Sequence, residues 1–579
     1  MEIIANRPKP NLDVTGNVYF GSKRLNSKDR REVVSFVSQE SPLLGEFTVR
    51  ETLWFAARLY FGYRGTPRKT ISDKIDHVIK SVGLTACADV KVGSLFFRGL
   101  SGGQKKRLSL AVELISSPPI IILDEPTSGL DSSSAFGVIM ALKNLAQMGH
   151  TILATIHQPS SQIWQCLTNI LLLSEGKYVY FGSAERAKDY FASLNLICPD
   201  HFNPGDYFSA ILNTDFKSKE RENVPSIDSL RSSYDASAVK RMELQVHLDE
   251  ITEHRKTIAH ASRRQTKANK RISGRITNAN ILQQEEKYDK LEDNKVSILS
   301  WILSPTSSKH VAMLSSTLTL FHRNMMSLYR NPGILMVRLV VYMTLGLFLG
   351  LLYLNYGRQL DTQNVLGISS VLLSCVGFFS FLSISVIPFV METRSVTNRE
   401  RKNGAYKLSS LVLANTLAIF PLTLILSIVA VLIVYFMVGL NNFFEFFIGL
   451  WILLFCSETF VQMLSSILKN PETAVSIAIG FIGILFLCSG FFIPVDNMSW
   501  GIRWIAYVSP IRYIFRMFMR NQWTGVTNIN SLIYPNGEAI LNFFGLNNGL
   551  IVSFWGDFGV LCSFSAAYIL ITLFFGRSK

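Results

Sequence analysis

Hydrophobic and polar positions divide this chain of 579 residues into two parts. Residues 1–332 carry 76 of its 99 charged side chains, whereas residues 333–579 carry only 23. Five long apolar runs of the second part contain no charge, and a sixth is interrupted only by Glu458: 339–357, 362–391, 408–444, 473–495 and 558–576, with 446–468 as the sixth. Because a helix needs about 20 apolar residues to cross a bilayer, these runs predict an all-α membrane domain with six spans.

The loops of this second part indicate its orientation. Six spans place both termini on one side of the membrane. Five basic residues lie between the second and third runs: Arg394, Arg399, Arg401, Lys402 and Lys407. Basic loops stay in the cytoplasm, so both termini are predicted to be cytoplasmic, most simply at the plasma membrane. Four arginines disagree with the charge rule, because they lie in the long segment after the run 473–495, which this topology places outside. They are Arg503, Arg512, Arg516 and Arg520. Long loops obey the charge rule weakly, so the orientation is kept.

Three features of the membrane part have alternative interpretations. Glu458 lies about 15 Å deep at helical rise, where a structural hydrogen-bond anchor and a functional relay are equally good readings. The cluster of Phe378, Phe379 and Phe381 suits helix or lipid packing better than the lining of a cavity. The aromatic-rich segment 494–549 is suited to the outer membrane interface.

The first part alternates short apolar runs with helix-like stretches, which predicts an α/β domain over residues 1–216. An apolar strand at 120–123 delivers Asp124 and Glu125 to its end. Two carboxylates at this position suit two roles: Asp124 can bind a magnesium ion, and Glu125 can act as the base that activates water. Gln39 follows a strand at 33–37, and its neutral amide can also coordinate magnesium. His157 ends a strand at 151–156 and can reach a γ-phosphate.

A turn before a helix completes the predicted nucleotide site. Its residues are Ser101, Gly102, Gly103 and Gln104. Bare backbone N–H groups and the positive end of the helix dipole suit phosphate. Each piece alone has an ordinary explanation, since an Asp-Glu pair after a strand is usually a helix cap and a Ser-Gly-Gly is usually a turn. Their order and spacing together indicate a nucleoside triphosphate site.

Three motifs carry a resemblance to a known family. They are Leu-Ser-Gly-Gly-Gln at 100–104, Ile-Ile-Ile-Leu-Asp-Glu-Pro-Thr-Ser-Gly-Leu-Asp at 120–131 and Thr-Ile-His-Gln-Pro at 155–159. The first part therefore resembles an ATP-binding-cassette domain. The order of the two domains, with the cassette first and the membrane domain second, resembles that of the subfamily G half-transporters, the White/Brown complex. The run Asn-Pro-Gly-Asp at 203–206 resembles the same subfamily, and the resemblance implies a membrane domain of the type II exporter kind. Within them the chain looks most similar to plant-type exporters of cuticular lipids.

The resemblance implies ATP and Mg²⁺ as cofactors and a role for each site residue. These are Gln39 as the Q-loop glutamine, Ser101, Gly102, Gly103 and Gln104 as the signature, Asp124 as the Walker B magnesium ligand, Glu125 as the general base, Asp131 as the D-loop aspartate at a dimer seam, and His157 as the switch histidine. It also implies a homodimer or heterodimer of half-transporters that handles hydrophobic small molecules or membrane lipid, and no nucleic acid.

One family motif is missing from these 579 residues, the phosphate-binding loop Gly-x-x-x-x-Gly-Lys-Ser/Thr. Its place would be a few residues before Met1. Without its lysine and its N–H groups the β- and γ-phosphates lose their main ligands, so the chain as written is expected to be inactive alone. The interpretation we favour is a truncated sequence, and the alternative is a natural loss of ATP binding.

The remaining boundaries follow from composition. Residues 217–313 are predicted to be a cytosolic linker, in which the basic stretch 255–275 is either a solvated helix or a contact for the inner leaflet. Residues 314–332 are predicted to form an amphipathic connecting helix, and 333–579 the membrane domain with a re-entrant outer segment at about 494–549. By resemblance, 392–407 holds a coupling helix; a plain basic loop is the alternative.

Three functions fit these features. The first is an ATP-driven exporter of lipid-like or other hydrophobic molecules, acting as a dimer. The second is a non-hydrolysing partner subunit whose signature completes the ATP site of another half-transporter. The third is an exporter of small amphiphilic drugs or metabolites.

Overall fold

The computed structural model describes residues 1–5, 12–20, 23–24, 33–40, 42–62, 67–94, 98–213, 224–242, 245, 313–358, 360–527, 529, 533–547 and 553–576. The chain forms two compact units. The first comprises Met1–Ala57 and Pro67–Lys309, and the second Arg58–Thr66 and His310–Lys579. The predicted basic stretch 255–275 and most of the predicted linker lie outside the described residues.

The first unit contains three small sheets. Its strands are β1 (Tyr19–Phe20), β2 (Lys23–Arg24), β3 (Val34–Val37), β4 (Ile120–Leu123), β5 (Thr151–Ala154), β6 (Asn169–Ser174) and β7 (Lys177–Ser183). The strands β3, β4 and β5 are parallel and lie in that order, whereas β1 pairs with β2 and β6 with β7 in antiparallel hairpins. Ile121 and Ile122 of the central strand are fully buried, as expected for a β-branched strand covered on both faces.

Helices surround these sheets. Up to residue 245 they are α1 (Val49–Phe61), α2 (Arg68–Ser81), α3 (Gly102–Leu114), α4 (Ser132–Gln147), α5 (Ser161–Trp164), α6 (Ala184–Ser193), α7 (Pro204–Leu212) and α8 (Ile227–Ala236), with a 3₁₀ turn at Thr85–Cys87. The helix α8 falls in the segment predicted as linker, where Leu230 and Tyr234 pack into the apolar cluster around Tyr180 and Phe191. The alternation of strands and helices confirms the predicted α/β class of this part.

The second unit is helical throughout its described residues. Its helices are α9 (Met313–Arg330), α10 (Pro332–Leu352), α11 (Thr362–Leu382), α12 (Ile387–Lys402), α13 (Leu408–Val438), α14 (Phe443–Ile467), α15 (Pro471–Leu487), α16 (Trp500–Val508), α17 (Pro510–Trp523), α18 (Gly537–Phe543) and α19 (Phe554–Phe575). Short 3₁₀ turns lie at Tyr356–Arg358, Ser383–Val386 and Val495–Asn497. One continuous apolar core joins these helices, so the prediction of an all-α membrane domain is confirmed.

Five helical segments are long and apolar enough to cross a membrane: Leu335–Leu352, Thr362–Lys402, Leu408–Val438, Phe443–Ile467 and Phe554–Phe575. The run 473–495, predicted as a span of 23 residues, instead gives α15, an apolar helix of 17 residues. At helical rise α15 is about 26 Å long, slightly less than a hydrocarbon core of about 30 Å. The chain leaves the helix at Cys488 and enters a turn at Gly490, whose φ of +96° favours glycine.

One boundary differs from that predicted. The first span was expected to begin after Arg338, but α10 begins at Pro332, so this arginine lies inside the helix and is buried. Between the second and third spans, where the resemblance implies a coupling helix at 392–407, α12 continues to Lys402 before a turn at Gly404, whose φ is +77°. A charged sequence therefore extends the helix of the second span beyond its apolar part.

Candidate functional site

The parallel strands β3, β4 and β5 end at one edge of their sheet, and polar side chains follow each of them. Val37 pairs with Leu123, and Leu123 with Ala154, in register. Because parallel strands share their carboxyl edge, the residues that follow are brought together. This carboxyl edge gathers Gln39 after β3, Asp124 and Glu125 after β4, and Thr155 after β5.

Glu125 is held from two sides. The Gln39 side-chain amide donates to its carboxylate over 2.7 Å, and its own backbone N–H donates to the Thr155 hydroxyl over 2.8 Å. Its φ of +43° places it in the left-handed region, a conformation that a non-glycine residue adopts only where surrounding contacts hold it. The tight turn after β4 thus aims this carboxylate towards Gln39.

Asp124 is oriented by the same threonine. The Thr155 hydroxyl donates to one Asp124 carboxylate oxygen over 2.8 Å, and the Asp124 backbone N–H donates to the carbonyl of Val37 over 2.9 Å. One hydroxyl therefore joins two successive residues of the β4 turn. The second carboxylate oxygen of Asp124 points to no hydrogen-bond donor among the described side chains.

The donor set at this edge fits a hard divalent cation. Asp124 offers a carboxylate oxygen, and Gln39, whose amide nitrogen is engaged, keeps its carbonyl oxygen for a metal. Magnesium in nucleotide sites takes one or two such protein oxygens and completes its octahedron with water and phosphate. No group of three or more His, Cys, Asp or Glu side chains occurs within the described ranges, so a metal cage built from protein alone is absent there.

A lysine reaches the carboxyl edge from α3. The Lys106 ammonium donates to the backbone carbonyl of Gln39. Burial lowers the pKa of Lys106, and the negative charges of Glu125 and Glu40 oppose that decrease. The ammonium thus adds positive charge near Glu125, the residue whose carboxylate accepts from Gln39.

The Ser-Gly-Gly-Gln turn begins α3 with a reciprocal cap. The Gln104 N–H donates to the Ser101 hydroxyl over 3.3 Å, and the Ser101 N–H donates to the Gln104 side-chain oxygen over 2.9 Å. Gly103 is required by packing, because a Cβ at this position would lie 2.9 Å from the Cβ of Ser134 in α4. Gly102 is exposed, so the first glycine and the cap face outward from this unit.

Asp131 caps α4 beside that turn. Its carboxylate accepts from the Ser133 hydroxyl over 2.5 Å and from the Ser134 N–H over 3.1 Å. These hydrogen bonds lower the pKa of Asp131, which therefore keeps its charge at any physiological pH. A second polar group of this unit is thus formed by the two helix starts, residues 101–104 and Asp131.

The predicted site residues accordingly fall into two groups and one single residue. Gln39, Asp124 and Glu125 meet at the carboxyl edge, whereas the signature turn and Asp131 lie together at the starts of α3 and α4. His157 is exposed and makes no hydrogen bond within the part of the chain that the structure describes. The residue after it, Gln158, has a φ of +45°, so the backbone turns sharply at this point.

Thr155 and Lys106 were not predicted from the sequence. A signal for Thr155 existed, because in a parallel sheet the residue after β5 stands level with the residue after β4, and the sequence places Thr155 and Asp124 there. The sequence gives no signal for Lys106 beyond its place in a basic run, since its partner is a backbone carbonyl 67 positions earlier.

Among the described residues of the second unit, Arg338, Arg323 and Arg516 each form a buried ion pair. Arg338 of α10 donates to Glu458 of α14, and their side chains are 7% and 2% exposed. This pair gives Glu458 a structural partner, which favours the anchor interpretation of this acid. Arg323 of α9 donates to Glu400 over 2.6 Å, and the Tyr406 hydroxyl donates to the same carboxylate over 2.6 Å.

The second of these clusters shifts two ionisation equilibria. Burial alone would lower the pKa of Arg323, but the neighbouring Glu400 carboxylate outweighs it and raises that pKa above its ordinary value. Burial, together with the same carboxylate, raises the pKa of Tyr406 well above its ordinary value. The arginine is therefore charged and the tyrosine protonated at all physiological pH values.

The phenylalanine cluster of α11 divides between packing and exposure. Phe379 is fully buried and stacks on Tyr342, with ring centroids 5.5 Å apart, whereas Phe378 is 49% exposed. An apolar pocket also lies within this unit, and its wall contains no charged side chain. Its lining residues are Ser380, Leu453, Cys456, Ser457, Phe460, Phe481, Ile482, Leu485, Pro510, Ile511, Ile514, Leu561 and Tyr568.

Comparison with known proteins agrees with both units. A family model described as ABC transporter matches residues 1–128, and one described as ABC-2 type transporter matches residues 315–523. ABC transporter G family member 11 of Arabidopsis thaliana is 32% identical over 99% of this chain and 78% of its own length. ABC transporter G family member 1 of Petunia hybrida is 30% identical over 93% and 78%. The broad substrate specificity ATP-binding cassette transporter ABCG2 of Mus musculus is 28% identical over 90% and 77%.

A cassette unit followed on one chain by an ABC-2 membrane unit defines an integral membrane transporter of the ATP-binding-cassette class. This class couples ATP hydrolysis to transport across a membrane. The chain belongs to the ABC transporter G family. The resemblance drawn from the sequence motifs is thereby confirmed.

Proposed function

We propose that this protein exports lipid-like or other hydrophobic molecules across the plasma membrane, as a dimer of half-transporters with both termini in the cytoplasm. ATP-driven transport is the activity of its family; the substrate class, the dimer and the orientation are our proposal. The observation that carries the substrate class is the pocket whose wall contains no charged residue. Pockets that bind small molecules are mostly apolar with a few polar groups.

The lining favours flat or chain-like apolar molecules. Phe460 and Phe481, which stack on each other with ring centroids 5.2 Å apart, form part of its wall. The polar groups of the wall are neutral, among them the hydroxyls of Ser457 and Tyr568. An unpaired charge in such a wall would be left desolvated, so strongly charged substrates are disfavoured.

A tryptophan placed in the cavity tests this proposal. We expect Ser457→Trp to reduce the efflux of a fluorescent lipid analogue at least tenfold, because the indole fills most of the available space. Ser476→Trp is the matched control, since Ser476 lies on the exposed face of α15 and does not line the cavity. Equal efflux by both variants would remove the cavity from the transport path.

The carboxyl edge supplies the groups that ATP hydrolysis requires. We assign Asp124 and Gln39 to a magnesium ion, which when bound neutralises charge on the β- and γ-phosphates. Glu125 would accept the proton of the attacking water at the carboxylate oxygen that Gln39 leaves open. Thr155 would keep the Asp124 carboxylate and the Glu125 backbone in place through its two hydrogen bonds. His157, exposed at the end of the next turn, is assigned to the γ-phosphate.

The dimer is supported by the separation of the two polar groups in the first unit. The signature turn makes no hydrogen bond with Gln39, Asp124 or Glu125 among the described residues, and Ser101 and Gly102 are exposed. A turn of exposed N–H groups at a helix start suits a phosphate held by another subunit. We therefore place the signature turn and Asp131 at a two-fold or pseudo-two-fold seam.

Co-expression tests the seam. The chain is expressed together with a family member that carries the Gly-x-x-x-x-Gly-Lys-Ser/Thr loop, with and without Ser101→Arg. We expect the substitution to reduce the ATPase rate of the pair at least tenfold. Ser116→Arg, at the far end of α3, is the control. Activity that does not change with Ser101→Arg would show that this signature completes no active site.

A further inference from the structure

The four arginines that disagreed with the charge rule have different environments in the structure. Arg503 is half-exposed and pairs with Asp496. The other three lie on α17 at a spacing of four residues, which places Arg512, Arg516 and Arg520 on one face of the helix over a rise of about 12 Å. Arg512 is 2% exposed and Arg516 is 3% exposed. This arginine face is therefore buried in the second unit rather than displayed in a hydrated loop.

One carboxylate neutralises this face. Asp557, at the start of α19, accepts from Arg516 through both oxygens, and the Nε contact measures 2.8 Å. Arg520 donates to neutral acceptors, the Asn547 side-chain oxygen over 2.9 Å and the Leu546 carbonyl over 3.4 Å. From residue 473 to the end of the sequence the acidic residues are Asp496, Glu538 and Asp557. Among these three acidic residues, Asp557 is the one that contacts the arginine face, through Arg516.

Arg512 forms no ion pair with the described residues. Its guanidinium lies 4.6 Å from the centre of the Tyr507 ring, and its Nε has no hydrogen-bond acceptor among the described residues. Burial and the positive charge of Arg516 both lower the pKa of Arg512. A guanidinium nevertheless stays protonated in proteins, so a buried cation without a carboxylate partner remains. Tyr507 is 45% exposed, so this cation lies just beneath the molecular surface.

The helix that precedes α17 indicates which surroundings this cation meets. In α16, Trp500 is 91% exposed and Trp504 61% exposed. Exposed tryptophan and tyrosine side chains at the end of a membrane unit are typical of the headgroup level of a bilayer. At that level the abundant anion is the phosphate of phospholipids. A guanidinium is also the side chain that binds phosphate best, through two parallel N–H donors.

We propose that the arginine face of α17 is a phospholipid site, in which Arg512 binds the headgroup phosphate and the aromatic side chains of α16 contact the glycerol and acyl region. This proposal is independent of what the protein exports. It takes from the proposed function only the position of this segment at the outer membrane surface, so the two can fail separately.

Binding to the purified full chain in detergent tests the site. The probes are dioleoyl-phosphatidylglycerol, dioleoylglycerol, which has the same acyl chains and no phosphate, and inorganic phosphate. We expect the phospholipid to bind at least tenfold more tightly than dioleoylglycerol, and Arg512→Gln to abolish this difference. Arg503→Gln, which removes an arginine already paired with Asp496, should bind like the unmodified chain.

A conservative variant covers the case in which Arg512→Gln does not fold. Arg512→Lys keeps the charge but loses the fork of donors, and we expect it to bind the phospholipid several-fold more weakly while eluting as the same oligomer. Phospholipid binding that is equal in Arg512→Lys and the unmodified chain would overturn the role of the guanidinium.

Two further outcomes would overturn the proposal. If inorganic phosphate at millimolar concentration displaces the phospholipid completely, the site takes a free phosphate and not a lipid. If Arg512→Gln leaves phospholipid binding intact but dissociates the oligomer, the arginine instead meets a carboxylate of another subunit.

Discussion

Replacing Thr155 by valine removes one hydroxyl from the carboxyl edge and changes little else, because the two side chains have nearly the same shape. That hydroxyl donates to Asp124 and accepts from the Glu125 N–H, each over 2.8 Å. Valine leaves one carboxylate oxygen and one backbone N–H of the β4 turn without partners. The predicted consequence is a loss of orientation of both acids at once.

The size of the expected loss of activity follows from the charge of the Asp124 carboxylate, which accepts this hydrogen bond. A hydrogen bond to an ionised group contributes about 1.5–3 kcal/mol, roughly twice a neutral one. Thr155 is half-buried, so we take the lower half of that range, about 2 kcal/mol, for the orientation of Asp124. If this energy is lost in the transition state, the turnover number falls roughly 30-fold. The apparent KM for ATP should change little, because Thr155 positions carboxylates and need not contact the nucleotide base.

The assay is magnesium-dependent ATP hydrolysis by the purified transporter, prepared with a Gly-x-x-x-x-Gly-Lys-Ser/Thr loop joined before Met1, with the turnover number and KM determined separately. Thr155→Ser keeps the hydroxyl and should retain most of the activity. Thr151→Val makes the same chemical change at the exposed start of β5 and should behave like the unmodified protein. A turnover number for Thr155→Val within twofold of the unmodified protein would refute the bridging role of this hydroxyl.

Three further predictions concern other parts of the chain. In a version that carries the phosphate-binding loop, Glu125→Gln should retain ATP with little turnover, because the amide cannot accept the proton of water; hydrolysis within a few-fold of normal would remove this residue from the role of base. Alanine at Arg399, Arg401 and Lys402 together should reduce transport more than ATP affinity, since these residues end the helix α12 after the second span; normal transport would contradict it. Glu400→Gln should destabilise the fold by about 3 kcal/mol, as is typical when one member of a buried ion pair is removed. A melting temperature within about 2 °C of that of the unmodified protein would contradict this loss of stability.

The carboxyl edge was largely predictable because it depends on short-range pattern. An apolar strand followed by two acids, and a second strand followed by Gln39, are enough to bring Gln39, Asp124 and Glu125 to one sheet edge once the strands are parallel. The structure adds what a pattern of residue types cannot specify, namely which atoms meet. Thr155 contributes through a register that a single sequence leaves open, and Lys106 through a backbone acceptor that any residue could supply.

The membrane unit shows where sequence reasoning fails. Charge-free runs locate apolar helices well, because the bilayer imposes a length on them. They misplace the start of α10, because Arg338 can be buried when Glu458, 120 positions later, neutralises it. The same limit applies to Arg516, whose partner Asp557 is 41 positions away. Pairing over such distances is a property of packing, and a charge count along the sequence treats these buried residues as exposed ones.

The most direct test of ATP-driven lipid export is a reconstituted transport measurement. Proteoliposomes would contain this chain, with a family member that carries the Gly-x-x-x-x-Gly-Lys-Ser/Thr loop, and a fluorescent lipid analogue whose passage between leaflets is followed over time. We predict passage that requires ATP and magnesium and that falls at least tenfold in Ser457→Trp and in Ser101→Arg, while Ser476→Trp has no effect. Passage that is the same with and without ATP, or that both tryptophan variants leave unchanged, would contradict the account.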